Sequence, residues 1–322
     1  MSLFDLYLQV GQSLQAGSLQ AKLFPGRTND YIARGSKGEP TVLIANKGGR
    51  TNVAPIALRN IFVEYAAEME ICLETEVTQG SFIVLAASDD RPDLYEAFCA
   101  MVEAVVSGLP VNPAAFEVEH TIQALIELFR VANTPPKKTV VGLWGELLII
   151  DASPDSVAAL RAWHVTPFDK HDFVLDKYAI EIKSTERTER IHEFNHSQLI
   201  NVAGKDVLIV SVLLRRSSTG YSCQDIADAI LLKLPDQKDR LKLLRGVYES
   251  LGNEVYMSND LRFDRREALN LLRQVRAETL PRVLVPPNSG ISNVRYSINL
   301  DACLPSIALE EMNWTLLFLE CE

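Results

Sequence analysis

The sequence predicts a mixed α/β protein, and three observations carry that reading. Short runs rich in Val and Ile, such as TVLIAN (41–46), GSFIVLAAS (80–88) and KDVLIVSVLL (205–214), have the length and residue types of strands. Between them, other segments repeat apolar residues at helical spacing. The prolines of NTPPKK (133–138) forbid helix continuation and mark a boundary in the chain.

The elements follow in order. IFVEYAAEMEICLETEV (61–77) partly alternates and, with the turn TQG before GSFIVLAAS, reads as a hairpin. DLYEAFCAMVEAVVSG (93–108) sets Leu94, Phe98, Met101, Val102 and Val105 on a helix, with Asp89, Asp90 and Asp93 as cap candidates. A second helix is expected over 114–132. After the boundary, Leu143, Leu147 and Ile150 recur at i, i+4, i+7 and predict a helix over 142–150 that carries Glu146. A short helix follows over 153–163, with Ser153 as cap and Pro154 at its first position. DFVL and YAIEIKST are two strands turning at Asp176-Lys177, and IHEFN (191–195) is a third. KDVLIVSVLL is apolar throughout, as a strand buried on both faces is. The remainder reads as mainly helical, over 223–234, 237–252 and 264–275. Three regions result: an α/β N-terminal domain (1–135), a core with a central β layer flanked by helices (136–216), and a helical C-terminal region (217–322).

Composition narrows the function. The chain has 322 residues, 47% of them hydrophobic and 23% charged, which suits a folded globular protein. Its five cysteines show no CxxC and no paired spacing, which argues against a disulfide framework and a zinc site. The N-terminus has no signal-peptide pattern, and no apolar run is long enough to span a bilayer. A cytoplasmic protein with no membrane partner is expected. The net charge of −10 disfavours nucleic acid at face value. The charge is uneven, however: residues 60–130 are acidic, and residues 205–296 lean basic, with Arg262, Arg265, Arg266, Arg273 and Arg276 as candidates to hold a phosphate backbone.

The chemistry is in DFVLDKYAIEIKST (172–185). Strand side chains alternate, so Glu181 and Lys183 share one face while Ile180 and Ile182 share the other. A hairpin about Asp176-Lys177 returns Asp172 to the level of Glu181 and Lys183. Convergent carboxylates repel unless a cation lies between them. A hard divalent ion, Mg²⁺ or Mn²⁺, would take oxygens from Asp172, Glu181 and the Ile182 carbonyl, with Glu146 as a further ligand. Lys183 would orient a water, stabilise an attacked phosphate or act as a base. The bland alternative is an exposed hairpin edge with a Glu–Lys surface pair. His171, His192 and His196 lack metal-ligand spacing; His192 and His196 are secondary candidates for phosphate contact. NKGGRTN (46–52) lacks the spacing of a phosphate loop.

Asp172, eight intervening residues and Glu181-Ile182-Lys183 resemble the active-site signature of the PD-(D/E)XK nuclease superfamily. The GLWGELLII helix is similar to that superfamily's first core helix. GLWGEL, EIKST, HEFNHSQL (192–199) and SNVRYSINL (292–300) resemble an uncharacterised bacterial family of PD-(D/E)XK motif proteins, often associated with restriction-modification and phage-defence clusters. The resemblance implies a restriction-endonuclease-like core, metal dependence and DNA hydrolysis. It gives Asp172 and Glu181 as the acids, Lys183 as the lysine, Glu146 as the helix acid and Gln198 as a glutamine found in some branches. His171 stands where the motif has proline. Protein partners from a defence system and a homodimer are further expectations. The competing readings are a non-catalytic DNA-binding or interaction subunit that retains the fold, and a module that recognises modified DNA without cutting.

Overall fold

The computed structural model describes residues 2–11, 18–46, 48, 54–73, 76–88, 92–164, 169–200, 204–256, 260–286, 290–303 and 310–311. Asp89, Asp90 and Cys321 lie outside them. The architecture is mixed α/β, and the chain divides into two compact units: Met1–Thr134 with Asp236–Leu241, and Pro135–Pro235 with Lys242–Glu322.

The first unit contains a six-stranded sheet built from β1 (Ser18–Leu23), β2 (Tyr31–Arg34), β3 (Pro40–Ala45), β4 (Ile56–Ala57), β5 (Ile61–Cys72) and β6 (Val77–Ala87). Its order is β1-β2-β3-β6-β5-β4, and β1 also pairs with β5 in parallel, so five of the strands close on themselves. The β5–β6 hairpin is antiparallel, with one extra residue inserted between Glu64 and Ala67, where Ala66 takes φ 55°. That bulge exchanges the faces of β5 midway, bringing Ala67, Met69 and Ile71 onto a cluster with Ala21, Leu43, Phe82 and Val84. The first unit also holds helices α1 (Leu3–Leu8), α2 (Tyr95–Val106) and α3 (Ala115–Val131). The cap of α2 is Leu94, with no side-chain hydrogen bond.

The second unit is built on a five-stranded sheet of order β14-β12-β10-β8-β7. Its strands are β7 (Phe173–Val174), β8 (Tyr178–Thr185), β10 (Asp206–Leu213), β12 (Arg273–Arg276) and β14 (Glu310–Glu311). β10 runs parallel to β8 in the centre, while β7 and β12 pair antiparallel. Seven of the eight β10 residues are buried, as a central parallel strand requires. Helix α4 (Val140–Ala152) packs on β8, and α5 (Ser156–Ala162) and α6 (Cys223–Leu231) pack beside it. Beside this sheet, β9 (Ile191–Asn195) pairs with β13 (Arg295–Asn299) as a separate ribbon. Phe194, Leu199 and Ile298 there share a buried cluster with Ala179, Val207, Ile209 and Val275. The ribbon thus joins HEFNHSQL to SNVRYSINL, two stretches a hundred residues apart in sequence.

Three expectations need correction. The segment 217–322 is not mainly helical: beside α6, α7 (Gln237–Leu251) and α8 (Arg265–Asn270), it carries β11 (Arg216–Tyr221, begun one residue earlier), β12, β13 and β14. The helix expected over 264–275 stops at Asn270, and Arg273–Arg276 become a strand because β10 offers an open edge to pair with. α5 is capped by Asp155, whose carboxylate accepts the Ala158 amide at 2.9 Å, so Ser153 and Pro154 precede the helix.

Helix α4 also differs from an amphipathic stripe. Ten of its thirteen residues are buried, among them Trp144, Gly145, Glu146 and Asp151. A helix enclosed all round has no polar face, so its acids need partners. Asp151 accepts from Lys233 and Arg265, each at 2.7 Å. Gly145 sets the approach of α4 to β8: a Cβ there would fall 1.9 Å from Ser184 Oγ. Gly145→Ala is therefore expected to destabilise the chain by about 1–3 kcal/mol, despite alanine's better helix propensity. Ser184 Oγ is buried without a hydrogen-bond partner, so Ser184→Ala should restore most of the loss. Denaturant unfolding of both variants measures this, and no loss from Gly145→Ala would mean that the helix can retreat from β8.

Candidate active site

The β7–β8 hairpin places the first acid. Phe173 lies opposite Ile180 and Val174 opposite Ala179, so Asp172, just before β7, comes level with Glu181. Its Oδ2 accepts the Ile182 amide at 2.8 Å. Ile182 therefore meets Asp172 through its N–H. Its carbonyl is the group that the sequence pointed to as a metal ligand. Asp172 Oδ1 accepts from Lys138 at 2.9 Å.

Glu146 reaches the same place from α4. Its Oε1 accepts from Lys138, and its Oε2 accepts from the Trp163 indole N–H at 2.8 Å and lies 3.1 Å from His164 Nε2. His164 follows α5 with φ 42°, an unusual value for a residue with a Cβ. Its amide donates to the Asp172 carbonyl at 2.9 Å, which holds the imidazole at the site. Ligand atoms of Glu146, His164 and Asp172 all lie within 4.8 Å of one another.

Glu181, Lys183 and Gln198 form a second group beside Asp172. Lys183 Nζ lies 2.8 Å from Glu181 Oε1 and 3.2 Å from Gln198 Oε1. Gln198 Nε2 donates to the same Glu181 oxygen at 2.5 Å. Gln198 is oriented by a capping box: Asn195 N donates to its Oε1 at 2.9 Å. His171 Nε2 contacts the Gln198 carbonyl at 2.9 Å, so the residue at the motif's proline position tethers this turn to the strand. Lys183 also lies over the Phe194 ring, 5.2 Å from its centroid.

The electrostatics are those of a crowded acidic site. Burial opposes the charge on Glu146, but Lys138 and His164 outweigh it and hold its pKa down, to about 2. Asp172 is pushed above the usual carboxylate value by burial and by the Glu146 charge. Glu181 is pushed up to about 8 by burial and by Asp172, with Lys183 working the other way. Burial also works against the charge on Lys138, yet Glu146 and Asp172 keep its pKa above the ordinary lysine value.

A divalent cation fits this donor set. Three buried carboxylates converge on two lysines, and Glu181 Oε2 is buried without a hydrogen-bond partner. A buried oxygen left unmatched beside raised carboxylate pKa values marks a place where positive charge is short. Glu146, Asp172 and Glu181 are the oxygen donors available to hold such an ion.

Sequence reasoning missed Lys138, Trp163 and His164. Lys138 lies in the polar stretch before α4, and the Trp163-His164 pair closes the short helix α5; neither position stands out by type or spacing. His192 is not a phosphate contact. It is 4% exposed, its Nε2 lies 2.7 Å from Ser211 Oγ, and burial followed by Lys183 pushes its pKa down to about 3. The arginines 262, 265, 273 and 276 are engaged within the fold: Arg262 with Asp225, Arg265 with Asp151, Arg273 with the Asn270 and Leu272 carbonyls, and Arg276 with Asp206. Arg266 is exposed.

These shifts predict a pH dependence. A carboxyl whose folded pKa is raised holds a proton that the unfolded chain releases, so stability falls as pH rises between the two values. With Glu181 moving from 4.5 to about 8, the protein in chelator should lose stability progressively across that window. Glu181→Gln should flatten the slope of melting temperature against pH. An unchanged slope would mean that another group is its source.

No curated protein and no solved structure matches the chain significantly. A family model described as "Putative PD-(D/E)XK family member, (DUF4420)" matches residues 14–301, most of the sequence. With the two acids, the helix acid and the strand lysine brought to one place, that match identifies the chain as a member of this PD-(D/E)XK-type family.

Proposed function

We propose that the protein is a metal-dependent nuclease that hydrolyses DNA phosphodiester bonds, using Mg²⁺ or Mn²⁺ held by Asp172, Glu181, Glu146 and the Ile182 carbonyl. The observation that carries the reading is the return of Asp172 to the level of Glu181 and Lys183 on the β7–β8 hairpin, with Glu146 beside Asp172. Family membership supports it.

The chemistry a divalent cation supplies in such a site is neutralisation of phosphate charge and acidification of a water. The chain's residues do the rest. Glu181 and Gln198 hold the Lys183 ammonium, and the lysine side chain is 17% exposed. Lys183 would orient the attacking water and offset charge on the phosphate as the O–P bond forms and the sugar oxygen leaves. Gln198 fixes Glu181 and Lys183 relative to each other, as a positioning residue.

The same proposal includes action in restriction or phage defence, with protein partners from that system and a homodimer that cuts both strands. The family resemblance is its support, and plating of phage on cells with and without the chain is its test. Arg266 and Arg276 are exposed among the arginines expected to meet DNA, and Arg187, Arg216, Arg282 and Arg295 are further exposed cations of this unit.

A second reading, a non-catalytic subunit that retains the fold, is favoured by one observation. Every oxygen of Glu146 and Asp172 already has a partner within the chain.

Cleavage of methylated and unmethylated plasmid separates the readings. Wild type should nick DNA in Mg²⁺ or Mn²⁺, and Lys183→Ala should cut at least about a hundredfold more slowly while remaining folded. Equal rates would sink the assignment of Lys183. Asp172→Ala should lose the rise in melting temperature that saturating Ca²⁺ gives wild type, because an ion bound to the folded state alone stabilises it. A chain that neither cuts nor responds to Ca²⁺ would be the interaction subunit.

A further inference from the structure

The site contains a cation of its own. Lys138 Nζ donates to Glu146 Oε1 and Asp172 Oδ1 and lies 3.0 Å from His164 Nε2. Those are the three residues whose ligand atoms cluster within 4.8 Å. The ammonium therefore sits where a cation shared by them would sit. Lys138 is outside the acid–acid–lysine pattern of the hairpin; it precedes α4 by two residues.

Its backbone is fixed and its side chain is not enclosed. The amides of Lys137 and Lys138 both donate to the Ser250 carbonyl, at 2.9 and 3.0 Å. Thr139, next in the chain, caps α4 through the Gly142 amide at 3.1 Å. The side chain of Lys138 is 28% exposed, against 4% for Glu146 and 10% for Asp172. The carboxylates are held by Trp163 and by the Ile182 amide. Of the three groups, the ammonium on its flexible four-carbon stem is the one free to leave.

We propose that Lys138 is a built-in competitor for the metal at the Glu146–Asp172 pair: a divalent ion binds there by displacing the Lys138 ammonium, and the lysine thereby sets the affinity of the site. The inference rests on the nuclease reading only for the use of a cation. Without a cation, two buried carboxylates facing each other would repel, so the metal-free fold needs Lys138. With it, an incoming ion meets a positive charge at contact distance and must expel it. A doubly charged ion gains more from the two acids than the single charge does. The exchange therefore favours the metal once it is present at sufficient concentration.

The probe is Tb³⁺ luminescence on the full chain, sensitised by Trp163, whose indole lies 2.8 Å from Glu146 Oε2. Lys138→Met keeps the stem and removes the charge. The variant should bind Tb³⁺ about tenfold or more tightly than wild type, and Ca²⁺ should compete with the same gain. In chelator it should melt below wild type and recover in Ca²⁺. A lysine with a purely structural role would weaken binding when removed; equal or weaker Tb³⁺ binding overturns the proposal. If Lys138→Met does not fold, wild type answers instead. Labelling of Lys138 by an amine reagent, read by mass spectrometry, should rise with Ca²⁺ at the midpoint of the Tb³⁺ titration. Constant labelling at saturating Ca²⁺ overturns the proposal. Binding that Asp172→Ala abolishes and Lys138→Met leaves unchanged removes the role of Lys138 and leaves the nuclease reading standing. Absence of binding in both chains overturns the two together, and cleavage that ignores Lys183→Ala sinks the nuclease reading alone.

Discussion

The carboxylate of Asp172 joins the parts of the second unit's site. One oxygen takes the Ile182 amide, which ties the start of β7 to the central strand β8. The other takes the Lys138 ammonium, which ties the hairpin to the segment before α4. The Asp172 carbonyl takes the His164 amide, which ties in the end of α5. A single residue thus fixes three chain segments around one point, and its negative charge is what makes a cation necessary there. Both the Ile182 amide and the Lys138 ammonium have to be in place for a carboxylate this deeply buried to be tolerated.

That constraint explains the burial of Glu146. A helix enclosed on all sides, packed on β8 through Gly145, has no solvent in which to place an acid. Glu146 is accommodated by Lys138, Trp163 and His164, each from a different part of the chain. Glu181 has a poorer arrangement: its second oxygen is left without a partner, and burial and the Asp172 charge raise its pKa. A carboxyl pKa held down in Glu146 and pushed up in Glu181 shows how environment separates the behaviour of identical groups.

The residues beyond 216 matter to the site although they contribute none of its acids. β12 covers the outer edge of β10, and β13 holds β9 over the sheet, so that Phe194 lies beneath Lys183 and the turn carrying Gln198 is anchored. Arg190 and His192 meet at Ser211 on β10, fixing the other end of that ribbon. The arginines of this region stabilise the fold by pairing with Asp151, Asp206 and Asp225. The basic lean of the sequence is therefore mostly internal pairing, in keeping with a chain of net charge −10.

The hairpin chemistry was legible in the sequence because it is local. Alternation on an eight-residue strand puts Glu181 and Lys183 on one face whatever surrounds them, and a short turn at Asp176-Lys177 brings Asp172 back to their level. The Val-rich β10 and the helical spacing of α4 were legible for the same reason. Other features depended on partners distant in the chain. Arg273–Arg276 leave their helix for a strand because β10 has an edge to fill. β9 and β13 pair across a hundred residues. Lys138 and His164 reach the site only because Ser250 and Asp172 hold their backbones there. No local pattern encodes a counter-ion: any lysine in a polar loop looks alike until the fold places one between two buried acids. Sequence alone therefore determined which residues carry charge on the hairpin. Tertiary structure decided what balances that charge, because electrostatic energy in a buried site depends on distance through space and not along the chain.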